Sequence, residues 1–246
     1  MVGLTVVLAF FVTGCAANRA YRERQGRTAR DLGERYYAAN QSSRALEQFL
    51  KALEFNPDDP FLHYDLALAY VDKRKFDTAE FHLKEAIRLK PDYSSAYNYL
   101  GVLYFRKGKF DLAIESYQKA LSNLLWTKPQ LAHLNLGIAY LSLKEYQKAV
   151  VHFQEAINLV PSYVDAHNGL GQAYEGLRMY GEARLAYEKA LEYNPAYTPA
   201  LLNLGKLLYR SGEKQKATEY FDRVVKLEPD SGRAKEALRY LRALGK

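Results

Sequence analysis

Apolar and polar positions follow a helical period along most of the chain, and the pattern returns every 34 residues. Three stretches, YLGVLYFRKGKFDLAIESYQKAL (99–121), NLGIAYLSLKEYQKAVVHFQEAI (135–157) and GLGQAYEGLRMYGEARLAYEKAL (169–191), carry the same chemistry in the same register. Leu-Gly stands at 32/33, 100/101, 136/137, 170/171 and 204/205, with Leu66-Ala67 in the remaining slot and one step of 36 residues. Tyrosine follows three residues later at Tyr36, Tyr70, Tyr104, Tyr140 and Tyr174. Twelve residues past each small residue stands alanine: Ala45, Ala79, Ala113, Ala149, Ala183 and Ala217. A second small position holds Ala52, Ala86, Ala120, Ala156, Ala190 and Val224. Prolines 57, 91, 161, 195 and 229 end five of the units.

A glycine inside a helix costs about 1 kcal/mol against alanine. Five at one register therefore predict a close approach between two helices, A and B, in each unit. One such pair cannot bury its own apolar face, so neighbours must stack. The pattern predicts an all-α chain of six helix pairs at 26–59, 60–93, 94–127, 130–163, 164–197 and 198–231, closed by a capping helix within 232–246. These positions resemble the tetratricopeptide repeat, and the resemblance implies a right-handed superhelical solenoid.

Composition changes the picture at the N-terminus. The chain is 48% apolar and 26% charged, with a net charge of +7, which marks a folded chain with a mild preference for anionic surroundings. Seven arginines fall between Arg19 and Arg44, directly after an uncharged run at 2–12. That run is too short for a hydrocarbon core of about 30 Å and has the layout of a secretory signal. The stretch VTGC that follows it resembles a bacterial lipobox, and Cys15 is the only cysteine. The resemblance implies cleavage of a signal peptide at 1–14, lipidation of Cys15, a basic lead or linker at 15–25 and, with Ala16 in place of aspartate, an outer-membrane lipoprotein facing the periplasm.

No enzyme motif accompanies this architecture: GxSxG, HExxH and GxxxxGK[ST] are all missing. GLGQAYEG at 169–176 contains the repeat glycine Gly171 in mid-helix, so it is not a phosphate loop. The histidines fall at the fourth (His63, His133, His167) and twenty-third (His82, His152) positions of their repeats, and are expected to be dispersed packing residues rather than a metal set. The expectation is a non-enzymatic scaffold with no cofactor, metal, small-molecule substrate or nucleic acid.

In tetratricopeptide repeats the inner surface comes mostly from helix A. The resemblance places Tyr64, Leu68, Asn98, Tyr99, Val102, Phe105, Leu134, Asn135, Ile138, Asn168, Gln172 and Asn203 in a partner groove. Asn98, Asn135, Asn168 and Asn203 form a ladder able to hold the backbone of an extended peptide, because a carboxamide both donates and accepts. The lysine slot of the chaperone-binding carboxylate clamp holds Arg30, Tyr64 or Asn98 instead. The irregular step, ALSNLLWTKPQLAHLN (120–135), contains the sole tryptophan, Trp126, as a possible partner anchor. Lipobox, six repeats and this extension together resemble the type IV pilus pilotin family, which implies a part in assembling or localising a secretin. The alternative is a lipoprotein adaptor for cell-wall hydrolases or another envelope complex.

Overall fold

The computed structural model describes the backbone of residues 2–245 and the side chains of residues 18–245. The expected signal segment and the Cys15 thiol lie outside the described side chains. Among the described residues there are thirteen helices and no strand: α1 (Val2–Ala38), α2 (Ser42–Phe55), α3 (Pro60–Asp72), α4 (Phe76–Leu89), α5 (Ser94–Arg106), α6 (Phe110–Leu121), α7 (Pro129–Ser142), α8 (Tyr146–Leu159), α9 (Val164–Gly176), α10 (Tyr180–Tyr193), α11 (Thr198–Arg210), α12 (Lys214–Leu227) and α13 (Gly232–Ala243). The chain divides into two compact units, 1–107 and 108–246. The first holds α1 to α5 and the second α6 to α13.

Each A helix turns into its B helix through one left-handed residue at the same register. These are Asn40, Arg74, Gly108, Lys144, Arg178 and Gly212, with φ between 56° and 84°. Only two are glycine, so the other four turns carry a strain of about 1–2 kcal/mol each. Five of the six B helices end where the next N–H donates to the carbonyl four residues back, as from Asn56 to Ala52 at 2.9 Å and from Val160 to Ala156 at 3.0 Å. Proline then follows and cannot continue the helix. Helix α6 ends instead on a bond from Ser122 to Lys119, three residues back. Asp59 and Ser231 cap the next helices, accepting from Phe61 N–H at 2.9 Å and Ala234 N–H at 3.0 Å.

The repeat alanines of the B helices are fully buried, among them Ala45, Ala79, Ala113, Ala149, Ala183 and Ala217. What fills the space above Gly33, Gly137, Gly171 and Gly205 is an aromatic ring from helix B rather than bare backbone. A β-carbon added to Gly33 would lie 2.5 Å from Phe49, to Gly137 2.6 Å from Phe153, to Gly171 2.4 Å from Tyr187 and to Gly205 2.8 Å from Phe221. Phe153 is also capped from the next repeat, since a β-carbon on Gly169 would stand 2.4 Å from it.

Where the basic lead expected at 15–25 is described, residues 18–25 are helical and continue α1. The physical reason is the end of α2, whose last carbonyls lack helical partners. Arg22 Nη2 donates to Glu54 O at 2.8 Å, and Asn56 packs into the space left by Gly26. An arginine at a helix C-terminus also meets the negative end of its dipole.

Candidate functional site

In the unit 1–107, helices α1, α3 and α5 bring aromatic and acidic side chains onto one face. Tyr64 of α3 meets Tyr99 of α5 edge-on at 6.0 Å between ring centroids, and Tyr93 at 5.4 Å. Phe61 closes on Tyr93 at 5.2 Å. The Arg30 guanidinium lies 5.4 Å from the Phe61 ring centre, an arrangement that favours a cation over an aromatic face. Its Nε donates to Asp65 Oδ2 at 2.7 Å, its Nη2 pairs with Glu34 at 2.7 Å and its Nη1 lies 3.6 Å from Asp59.

Burial sets the charge state of this cradle. It pushes the Asp65 carboxyl up to about 6, although the hydrogen bond and charge of Arg30 pull the other way. It also pushes the Tyr64 hydroxyl up to about 12, with Tyr99 and Asp65 adding to the effect. Tyr37 and Tyr93 move in the same direction, mainly by burial. At neutral pH the face therefore offers neutral hydroxyls and ring edges around the Arg30–Asp65 ion pair. Such a surface suits an extended protein segment with apolar and hydrogen-bonding groups.

In the unit 108–246 the corresponding helices give a more polar face. Asn203 Nδ2 donates to Asn168 Oδ1 at 3.0 Å. Arg210 pairs with Glu175, which also accepts from the Tyr187 hydroxyl at 2.6 Å. Lys206 pairs with Glu236 of α13 at 2.9 Å.

The expected groove residues divide accordingly. Tyr64, Leu68, Tyr99, Val102 and Phe105 are half-buried on α3 and α5, and Leu134 and Asn135 are half-buried on α7. Ile138 and Gln172 are exposed. The four asparagines of the expected ladder are not equally accessible. Asn98 and Asn168 are buried, at 8% exposure each, and Asn168 spends its carbonyl on Asn203. The Asn168–Asn203 bond joins α9 to α11. The Arg30 cluster, in contrast, has no repeating signature in the sequence, because its partners come from different register positions.

Four of the five histidines stand in pairs rather than dispersed, and His167 bonds Pro161 O at 2.8 Å. His63 and His82 face each other with Nδ1 atoms 2.9 Å apart, and His133 and His152 do so at 3.2 Å. Positions four and twenty-three of one repeat are neighbours across its helix pair, and that shared spacing was the available signal. His82 stacks on Tyr70 and His152 on Tyr140 at 5.4 Å. His63 Nε2 donates to Pro57 O at 2.9 Å, so its bare Nδ1 accepts from His82. Among the described residues no group of three or more His, Cys, Asp or Glu could hold a metal. Nor is any helix among them long and apolar enough to cross a membrane. In the irregular segment, Trp126 is half-buried, whereas Leu124 and Leu125 stand 94% and 88% exposed.

Comparison with known proteins adds the following. Sequence models described as tetratricopeptide repeat or TPR repeat match residues 33–74, 64–124, 137–177 and 175–241. A stretch of 111 residues, 42% of this chain, is 28% identical to the Hsp70-Hsp90 organising protein of Plasmodium falciparum. A stretch of 120 residues, 48% of the chain, is 32% identical to the BBSome complex member BBS4 of Bos taurus. The chain spans about a fifth of the length of these two relatives, 20% and 22%. Among solved structures, PilW, described as a widely conserved type IV pilus biogenesis factor, matches with a TM-score of 0.80 at 21% identity, over 87% of this chain and 98% of its own. PilF of Pseudomonas aeruginosa matches with a TM-score of 0.77 at 20% identity, over 87% of this chain and 97% of its own. At such identities the likeness shows a common helix-pair solenoid fold.

Proposed function

The chain is a tetratricopeptide repeat protein, and from that premise we propose that it assists the assembly or localisation of a type IV pilus secretin, anchored by lipid on Cys15 to the periplasmic side of the outer membrane. Repeat arrays of this class are generally scaffolds that bind protein partners, not catalysts. The observation that carries the partner-binding half is the aromatic cradle of α1, α3 and α5, where tyrosines of the type enriched at binding hot spots surround Arg30 and Asp65. The secretin half draws on the fold shared with PilW and PilF over nearly their whole lengths. The anchor draws on the VTGC sequence.

A lipid anchor confines the scaffold to the membrane in which a secretin ring multimerises. Tethering raises the local concentration of captured subunits, to the mM range for short linkers. Deleting the gene is expected to remove most heat-stable secretin multimers and surface pili. The Cys15→Ser form is expected to keep binding the subunit while losing incorporated fatty acid and full membrane targeting. Normal multimers in the deletion strain would contradict the secretin assignment and favour an adaptor for cell-wall hydrolases.

A further inference from the structure

We propose that the α6–α7 loop is a second membrane contact, in which Leu124 and Leu125 insert into an anionic lipid surface. The inference is separate from the secretin reading and does not depend on the acyl anchor. Helix α6 stops at Leu121, and α7 starts with Pro129 at its first position. The connection is held in shape by local bonds. Ser122 Oγ donates to Lys119 O at 2.7 Å, Leu125 N–H to Asn123 Oδ1 at 3.0 Å and Trp126 N–H to Asn123 O at 3.1 Å. The turn thus presents two adjacent leucines at 94% and 88% exposure. Side chains that project this far form a convex apolar tip, not a groove, and a fluid hydrocarbon phase accepts a convex tip without a shaped pocket.

The neighbours of the tip fit a lipid surface. Trp126 sits directly beside it and keeps part of its surface exposed, and tryptophan favours the boundary between headgroups and acyl chains. Lys119 and Lys128 flank the tip and are exposed. No aspartate or glutamate occurs between Glu115 and Glu145, so no carboxylate in this segment opposes an anionic headgroup. Two leucines alone make a weak contact, as a single acyl chain does, and such contacts work in combination. This one adds to whatever else holds the chain at a membrane.

Trp126 is the only tryptophan, so its fluorescence reports on this loop alone. The full chain is mixed with vesicles of phosphatidylethanolamine and phosphatidylglycerol in equal parts, or of phosphatidylcholine, each with and without brominated acyl chains. The expected result is a blue shift of Trp126 emission and quenching by the brominated anionic vesicles, both weaker on phosphatidylcholine. Leu124→Asp with Leu125→Asp should reduce the partition reported by this signal about tenfold or more, with an unchanged circular dichroism spectrum. Sedimentation of the chain with vesicles while Trp126 stays unquenched would overturn the proposal, because another segment would then be the attachment. Equal quenching on neutral vesicles would overturn the anionic assignment. A shift that needs added secretin subunit and ignores lipid would make the loop a protein contact instead.

Discussion

Lowering the pH from 6.5 to 4 is expected to cost the unit 108–246 about 3 kcal/mol of stability through its histidine pair. In the unit 1–107, Asp65, pushed up to about 6, takes up a proton over the same range and offsets most of the loss from His82. His82 in one unit and His152 in the other are held down to about 4 from an ordinary value of 6.5. Burial is the larger cause, and the facing imidazole, His63 or His133, is the second. Glu85 and Glu155 pull the other way and are outweighed. A shift of this size, at about 1.4 kcal/mol per pKa unit, gives the stated magnitude.

The sign follows from proton counts. Between pH 6.5 and 4 the unfolded histidine is protonated and the folded one is not, so the unfolded state gains as pH falls. The stabilisation is complete above 6.5 and is lost progressively down to about 4. The geometry gives the same answer, because a second proton between two Nδ1 atoms 2.9 Å apart leaves two donors facing each other. Urea unfolding at a series of pH values measures the effect. His152→Gln, which keeps a neutral hydrogen-bonding group opposite His133, should flatten the acid slope of the unit 108–246. A flat stability profile of that unit over this range in the unsubstituted chain would contradict the pairing.

Removing the Phe153 ring is expected to be the most damaging single truncation in the unit 108–246. The ring is fully buried and lies against both Gly137 and Gly169. It fills the junction of one repeat and wedges the next, so Phe153→Ala should lose about 3–5 kcal/mol. The glycines test the same contact from the other side. Gly137→Ala would gain about 1 kcal/mol from helix propensity alone. Its new methyl meets a buried ring at 2.6 Å, so overpacking costing about 1–3 kcal/mol should prevail. Combining it with Phe153→Leu should cost less than the sum of the two changes, since they share one space. Gly181→Ala is the control, because a β-carbon there meets nothing within 4 Å and should leave stability equal or slightly raised. Additive losses in the double variant, measured by thermal or urea unfolding, would show that glycine and ring do not share that space.

The repeat register made the fold legible because one physical requirement, close packing of helix A on helix B, recurs in α1–α2, α3–α4, α7–α8, α9–α10 and α11–α12. The buried alanines mark the same place in every unit, and Leu-Gly and the terminal proline do so in five of the six. The capping helix expected within 232–246 is α13, Gly232–Ala243. What fills the glycine notch was less legible. Phe49, Phe153, Tyr187 and Phe221 stand sixteen residues after Gly33, Gly137, Gly171 and Gly205, but only coordinates show ring over glycine. The helical lead at 18–25 was hidden because its partners, the carbonyls of Glu54 and Phe55, are backbone atoms with no residue signature.

The site was legible only in part, for a related reason. Repeat positions identify which residues share a face, and Tyr64 and Tyr99 do meet there. They do not reveal which polar groups have already paired. Asn168 and Asn203 satisfy each other, and Arg30 gathers Asp59, Asp65 and Glu34 from three register positions. In the irregular loop, tryptophan drew attention by its rarity, while the leucines beside it are the exposed groups.

The central claim, that the cradle of α1, α3 and α5 captures a secretin subunit, is tested most directly by titrating that purified subunit against the full chain and against its Tyr64→Leu, Tyr99→Leu double variant. Leucine keeps much of the apolar bulk and removes the rings and hydroxyls, so the melting temperature should change little. Two hot-spot tyrosines at more than about 1 kcal/mol each predict a Kd raised about thirtyfold or more. An unchanged Kd in the folded double variant, or no binding to the unsubstituted chain, would contradict the account.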